Sequence, residues 1–354
     1  MNALEKNVSV ATAETLLSET IAWLRFPLIV LVVFIHVPKA TADFSWAFEM
    51  EKLITNVFAR VAVPLFFVIS GFLFFRGSAW SREICFKKLR SRAGTLLVPY
   101  LTWACFALAY WLAIHVVLRG EIPTAKDLLR PFFAGGVNFP FWFIRELMVC
   151  CVAAPLIYRL VKRFSFVPVL ALGVVVFARG AIDQNFLIKG GIGTTSIFFF
   201  LIGSTLALEK IDFVAVCRRY AFPLTAVYVP VAFWDWFCIK DFQAWNPIAH
   251  NFGILFGCAA AVGLTAVAVE RGIFKRREFL ENGAFFVFAA HTFCFVVVNR
   301  ALKFLIFGGF GEGNAQWLVY YFSCGIVSIA VCLGVYRILR RAFPWSLRFL
   351  TGGR

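Results

Sequence analysis

The chain has 354 residues, 61% of them hydrophobic and only 15% charged, with a formal net charge of +16. Soluble domains carry about 25% charged residues, so there is too little polar side chain here to cover a water-facing surface, and a soluble core is excluded. The basic excess is broken into short clusters between apolar runs, which sets membrane orientation; a nucleic acid would need a continuous basic face, so it is excluded as a partner.

The first 20 residues are polar, with Lys6 their one basic residue. The apolar run that follows ends in His36-Val37-Pro38 without a small-residue cleavage pattern, so no cleavable signal is expected. A helix needs about 20 apolar residues to cross a bilayer. Candidate spans follow at 21–37, 54–75, 94–118, 141–161, 164–178, 192–208, 222–239, 248–269, 283–307 and 316–335, of which 164–178 is short. The expected fold class is all-α, a polytopic transmembrane helical bundle of about ten spans. Residues 1–20 then form a cytoplasmic N-terminal segment, 21–335 one transmembrane domain and 336–354 a basic cytoplasmic tail. Mean hydropathy of +0.83, with 44 phenylalanines and 11 tryptophans, suits a lipid-facing shell with interfacial aromatics.

With the N-terminus inside, the internal tails, loops and span ends hold 22 basic residues and the external ones eight. An even number of spans with both termini cytoplasmic follows. The external stretch 43–51 mixes aromatics with acids, as an interfacial helix does. Gly190, Gly191 and Gly193 mark a turn and follow no strand, so they give no dinucleotide fingerprint. Ten cysteines occur without a Cys-x-x-Cys pair, and most lie in apolar runs as small hydrophobes, so neither disulfide nor metal site is expected.

Five basic residues fall within spans: Arg25, Arg60, Arg145, Arg300 and Lys303. A charge in the hydrocarbon is costly and usually faces a cavity or a partner. Arg300 and Lys303 lie near a helix end and can snorkel. Arg25 and His36 are 11 residues apart, which returns them to one helix face, about 16 Å apart along the axis. His36 suits a general base or nucleophile near neutral pH, though a lone intramembrane histidine is more often a packing hydrogen bonder. In the second span Arg60 precedes Pro64 and Gly71, and Ser70 is placed to bond across helices or to orient a substrate. Lys87-Lys88-Leu89-Arg90-Ser91-Arg92 reads either as a topological signal beside anionic lipid or as a phosphate clamp. Trp142 and Arg145 open the fourth span, where Arg145 can pair with Glu146. His291 reads as core; Asp235 is an intramembrane anomaly with no partner visible in the sequence, and His115 and His250 carry no motif.

These residues, taken in order, resemble the integral-membrane acyltransferase-3 family. Trp23-Leu24-Arg25 followed by Val32-Val33-Phe34-Ile35-His36 is similar to its opening helix, with ten residues between arginine and histidine. Pro64 to Phe72 resembles its second-helix signature, and Lys87 to Arg92 leading to Pro99-Tyr100 its basic loop. Phe141 to Arg145, Ser196 to Gly203, and Asn282-Gly283 followed by Phe288 to His291 resemble later helices. One departure is Lys87, which stands where the family's basic loop often has the first of two arginines.

The resemblance implies a bacterial inner-membrane O-acyltransferase. An acyl-CoA donor, most often acetyl-CoA, would bind from the cytoplasm at Lys88, Arg90 and Arg92, with no metal. His36 would act as general base or carry the acyl group, and Arg25 would orient the donor. The acceptor, a sugar hydroxyl on a lipid-linked intermediate or glycan, would meet Arg60, Ser70, Trp142, Arg145 and His291. A transporter or flippase for a glycan intermediate would use the same intramembrane charges but would show an internal repeat of broken helices, which the sequence lacks.

Overall fold

The computed structural model describes residues 3–38, 46–77, 80–118, 139–178, 193–241, 246–307 and 313–353, with a few positions between 120 and 132. Among these residues the regular structure is entirely helical, without a strand. In chain order the helices are α1 (Ala3–His36), α2 (Trp46–Phe75), α3 (Arg82–Val116), α4 (Trp142–Val152), α5 (Ala154–Phe164), α6 (Val167–Ala178) and α7 (Thr194–Leu208). They continue as α8 (Phe213–Arg219), α9 (Ala221–Asp241), α10 (Asn246–Glu270), α11 (Glu278–Phe307), α12 (Asn314–Ala342) and α13 (Pro344–Thr351). The protein is a polytopic helical bundle.

Among the described residues seven helices are long and apolar enough to cross a membrane, or eight if the bent pair α5–α6 counts as one span. The other expected spans differ for local reasons. Span 141–161 breaks at Ala153, just before Pro155, whose ring removes a backbone donor. At Ser165, with φ +48°, the chain turns through 111° into the short α6. Span 192–208 keeps 15 helical residues in α7.

Two features of α2 shape the interior. Its helix widens over Leu53–Val57 and tightens over Phe58–Val61 before Pro64, an irregular stretch that carries Arg60. Such departures from regular α-helix concentrate at functional sites. Further along, Gly71 on α2 and Gly203 on α7 let the two backbones touch: a Cβ at 203 would lie 2.7 Å from the Val68 carbonyl carbon and 2.9 Å from the Phe72 nitrogen. Small residues at such crossings are the usual device for close helix packing in lipid.

Residues 46–51, expected as part of an interfacial helix, are the first turns of α2, and 43–45 lie outside the described residues. Glu51 is buried and accepts a 2.9 Å hydrogen bond from Trp317 Nε1, tying α2 to α12. At the opposite end α13 folds back on α3, where Trp103 Nε1 donates to the Leu350 carbonyl at 2.9 Å. Large side chains such as Phe304 (79% exposed) and Val297 (70%) look outward from α11, a surface that only lipid would cover at low cost.

Candidate active site

A cavity of about 470 Å³ opens beside the His36 end of α1. Its walls combine apolar side chains (Val32, Val63, Phe67, Phe143, Phe199, Phe288) with His36, Arg60, Trp142, Arg145, Glu146, Ser196 and His250. Those polar groups come from α1, α2, α4, α7 and α10, so the fold, and no single motif, assembles the site. An apolar hollow with a few converging polar groups is the usual form of a small-ligand site.

His36 sits on the last turn of α1. Its Nδ1 lies 2.8 Å from the Val32 carbonyl. A carbonyl only accepts, so Nδ1 carries the proton and the neutral ring has its lone pair on Nε2. Behind it, the His291 ring packs with its centroid 5.3 Å from that of His36. His291 is completely buried, and its Nδ1 donates to the Phe288 carbonyl at 2.7 Å. It does not line the cavity, so the expected contact with substrate becomes contact with His36.

On the facing wall, Glu146 ties α4 to the start of α7. Ser196 Oγ donates to one of its carboxylate oxygens and the Gly193 amide to the other, at 3.2 Å, with Arg145 3.9 Å away. Glu146 is 5% exposed, and a buried carboxylate persists only with such partners. Arg60 Nη2 donates to Asn56 Oδ1 at 3.2 Å and lies in electrostatic range of Asp235. His250 Nδ1 meets Asp235 Oδ2 at 2.8 Å. Asp235, for which the sequence offers no partner, therefore has one, 15 residues along the chain.

Arg25 faces a different layer. It interacts electrostatically with Glu281, Arg276 and Arg92, and does not line the cavity. The neighbours of Arg25 and His36, Glu281 and His291, both belong to α11. Trp23 stacks on Phe274, centroids 3.6 Å apart and planes within 2°, which pins the 271–277 loop to α1. Arg276 Nε donates to Glu281 at 2.9 Å. That hydrogen bond, with the charge of Glu281, raises the Arg276 guanidinium above its ordinary pKa. Arg25 thus lies within electrostatic range of two further guanidinium groups and one carboxylate, an excess of positive charge suited to phosphate.

The remaining predicted residues separate. Lys88 Nζ donates to the Phe74 carbonyl at 2.5 Å, which satisfies the end of α2. Arg92 joins the Arg25 cluster, whereas Arg90 is exposed nearby on α3. Arg60, Trp142 and Arg145 all line the cavity; Ser70 is half-buried on α2 and does not. Sequence reasoning names Glu146 only as a partner for Arg145 and Ser196 only within a resembling segment, and gives His250 and Arg276 no role. Asp235, the unmatched acid in α9, is the signal that points to His250. Among the described residues no group of three or more His, Cys, Asp or Glu gathers as metal ligands.

Comparison with known proteins agrees with this architecture. The succinoglycan biosynthesis protein ExoH of Rhizobium meliloti (strain 1021) is 25% identical over 364 aligned residues, covering 95% of this chain and 92% of that protein. No solved structure matches the chain. Residues 19–337 match the family described as the acyltransferase domain, Acyl_transf_3, and the chain is therefore a multi-pass membrane member of that acyltransferase family.

Proposed function

We propose that this protein is an O-acyltransferase that moves an acetyl or other short acyl group from acyl-CoA to a hydroxyl of a cell-surface sugar or lipid-linked glycan. The observation that carries the reading is His36, its Nδ1 held by the Val32 carbonyl, on the wall of a cavity that also presents Arg60, Trp142 and Arg145. Aromatic faces and hydrogen-bonding cations suit a sugar, and similarity to a succinoglycan biosynthesis protein supports a polysaccharide-related acceptor.

The two layers along α1 suit the two ends of the donor. Arg25, Arg92 and Arg276 would hold the phosphates of CoA, and its flexible pantetheine arm would carry the thioester toward His36, about 16 Å further along the helix. Arg90 adds positive charge at the approach. With both termini cytoplasmic, as the loop charges imply, the Arg25 layer faces the cytoplasm and the cavity lies in the outer half of the inner membrane. At His36 the imidazole acts as general base or as transient acyl carrier. Either role requires Nε2.

The test is release of CoA thiol by membranes containing His36→Gln, normalised to inserted protein. Glutamine keeps hydrogen-bonding capacity but cannot transfer a proton or carry an acyl group. Loss of such a group costs about 10²- to 10⁴-fold in rate. Near-normal turnover in His36→Gln would remove the mechanism, and glycan movement without CoA release would favour transport.

A further inference from the structure

The cavity contains a second imidazole whose surroundings differ from those of His36. His250 lines it from α10, and its Nδ1 is held 2.8 Å from Asp235 Oδ2 on α9. The Asp235 side chain is 2% exposed and that of His250 is 30% exposed, so the acid lies behind the ring and the ring reaches the cavity. Asp235 Oδ1 is buried without a hydrogen-bond partner among the described residues, which leaves the carboxylate's charge concentrated on His250 and, at longer range, on Arg60. The carboxylate fixes the proton on Nδ1 and turns the Nε2 lone pair outward.

We propose that His250 is a second catalytic residue, the base that deprotonates the acceptor hydroxyl, with Asp235 as its positioning residue. The inference rests on the acyltransfer reading above and divides its chemistry between two histidines. A base must become a cation, and a buried carboxylate stabilises that cation as a neutral carbonyl cannot. His250 has the carboxylate. The cavity therefore offers His250 as the base, while His36, the other imidazole on its wall, carries the acyl group.

The steps balance. His36 Nε2 attacks the thioester carbon, an N–C bond forms, the C–S bond breaks, and its electron pair leaves on sulfur as CoA thiolate. The acceptor oxygen then attacks the acyl carbon while its proton passes to His250 Nε2. An O–C bond forms, the N–C bond breaks, and its pair returns to His36. His250 passes its proton to the CoA thiolate or to water.

The experiment separates the halves in purified full-length protein reconstituted in lipid. The donor half is exchange of labelled CoA into acetyl-CoA without acceptor. The acceptor half is transfer of labelled acetyl to glycan extracted from the producing cells, lipid-linked and polymeric, after alkaline removal of O-acyl groups. His250→Gln should lose at least about 100-fold in transfer yet retain exchange, and Asp235→Asn should show the same split. His36→Gln should lose both. Retained exchange also shows that a variant has folded. The proposal is overturned if His250→Gln transfers within a few-fold of wild type, if exchange is lost together with transfer in both His250→Gln and Asp235→Asn, or if the wild type transfers without exchange. A wild-type protein that does not transfer, or a His36→Gln variant that transfers normally, instead overturns the underlying acyltransfer reading.

Discussion

Replacing Gly203 by alanine tests whether the α2–α7 contact holds the cavity in shape. Ordinary van der Waals contact begins at 3.4 Å, and the new Cβ would lie 2.7 Å from the Val68 carbonyl carbon, nearer still to its oxygen. The obstacle is backbone, so no side chain can swing aside; the helices must part by more than 0.7 Å. Overpacking of this kind costs about 1–3 kcal/mol. The same displacement moves Phe199 and Ser196 on α7 away from Pro64 and Phe67 on α2, all four of them cavity residues. A misplacement near 1 Å can cost about 10²-fold in rate, although nothing in the cavity has been mutated. Stability can be followed in detergent with a thiol-reactive dye, because seven of the ten free cysteines are buried and react as the bundle opens. Gly71→Ala, whose Cβ would meet the Phe200 backbone and lie 3.0 Å from Ser204 Oγ, parts the same helices. The double variant should therefore lose less than the two single losses added together. An unchanged melting midpoint in Gly203→Ala, or full additivity in the double variant, would refute the argument.

Three further outcomes are expected. Arg25→Ala should abolish most CoA release, and Arg25→Lys should recover only part of it, because an ammonium cannot reproduce the guanidinium fork; equal activity of the two variants would remove the donor-side role. Arg92→Ala and Arg276→Ala should each raise the apparent KM for acyl-CoA several-fold and spare most of kcat, with Arg90→Ala having the smaller effect; unchanged donor dependence in all three would leave the basic cluster a topological signal. Alkaline phosphatase fused after Arg354 should be inactive and a fusion near Asp127 active, and an active C-terminal fusion would reverse the proposed orientation.

What could be read from the sequence follows the range of the interactions involved. Arg25 and His36 lie on one helix, so the helical repeat alone relates them, and their neighbours Glu281 and His291 both lie on α11. Hydropathy located the apolar segments, but it scores a broken helix and a continuous one alike. The break before Pro155 and the 111° turn at Ser165 depend on backbone geometry, which composition does not encode. Lys88 shows the same limit at a single residue. Its position in a basic run suggests a phosphate ligand, whereas its ammonium is held by the carbonyl of Phe74, a group that every residue possesses.

Pairs that join different helices were the hardest to read. Glu146 and Ser196 are 50 residues apart, and Asp235 and His250 are 15 apart, on α9 and α10. Helical phase cannot connect residues on different helices, because the rotation of one helix against the next is set by packing along their whole length. The cost of an isolated charge in lipid nevertheless supplied a usable rule: Asp235 in an apolar span required a partner somewhere. The sequence could state that requirement, but only the packing of α10 against α9, with Gly253 3.8 Å from the carboxylate by its would-be Cβ, shows that the partner is His250. The same packing places the imidazole at the cavity wall. A charge that the membrane would otherwise penalise is thus retained where it can act on a proton, and for this reason the unmatched acid, more than any lone histidine, was the informative residue.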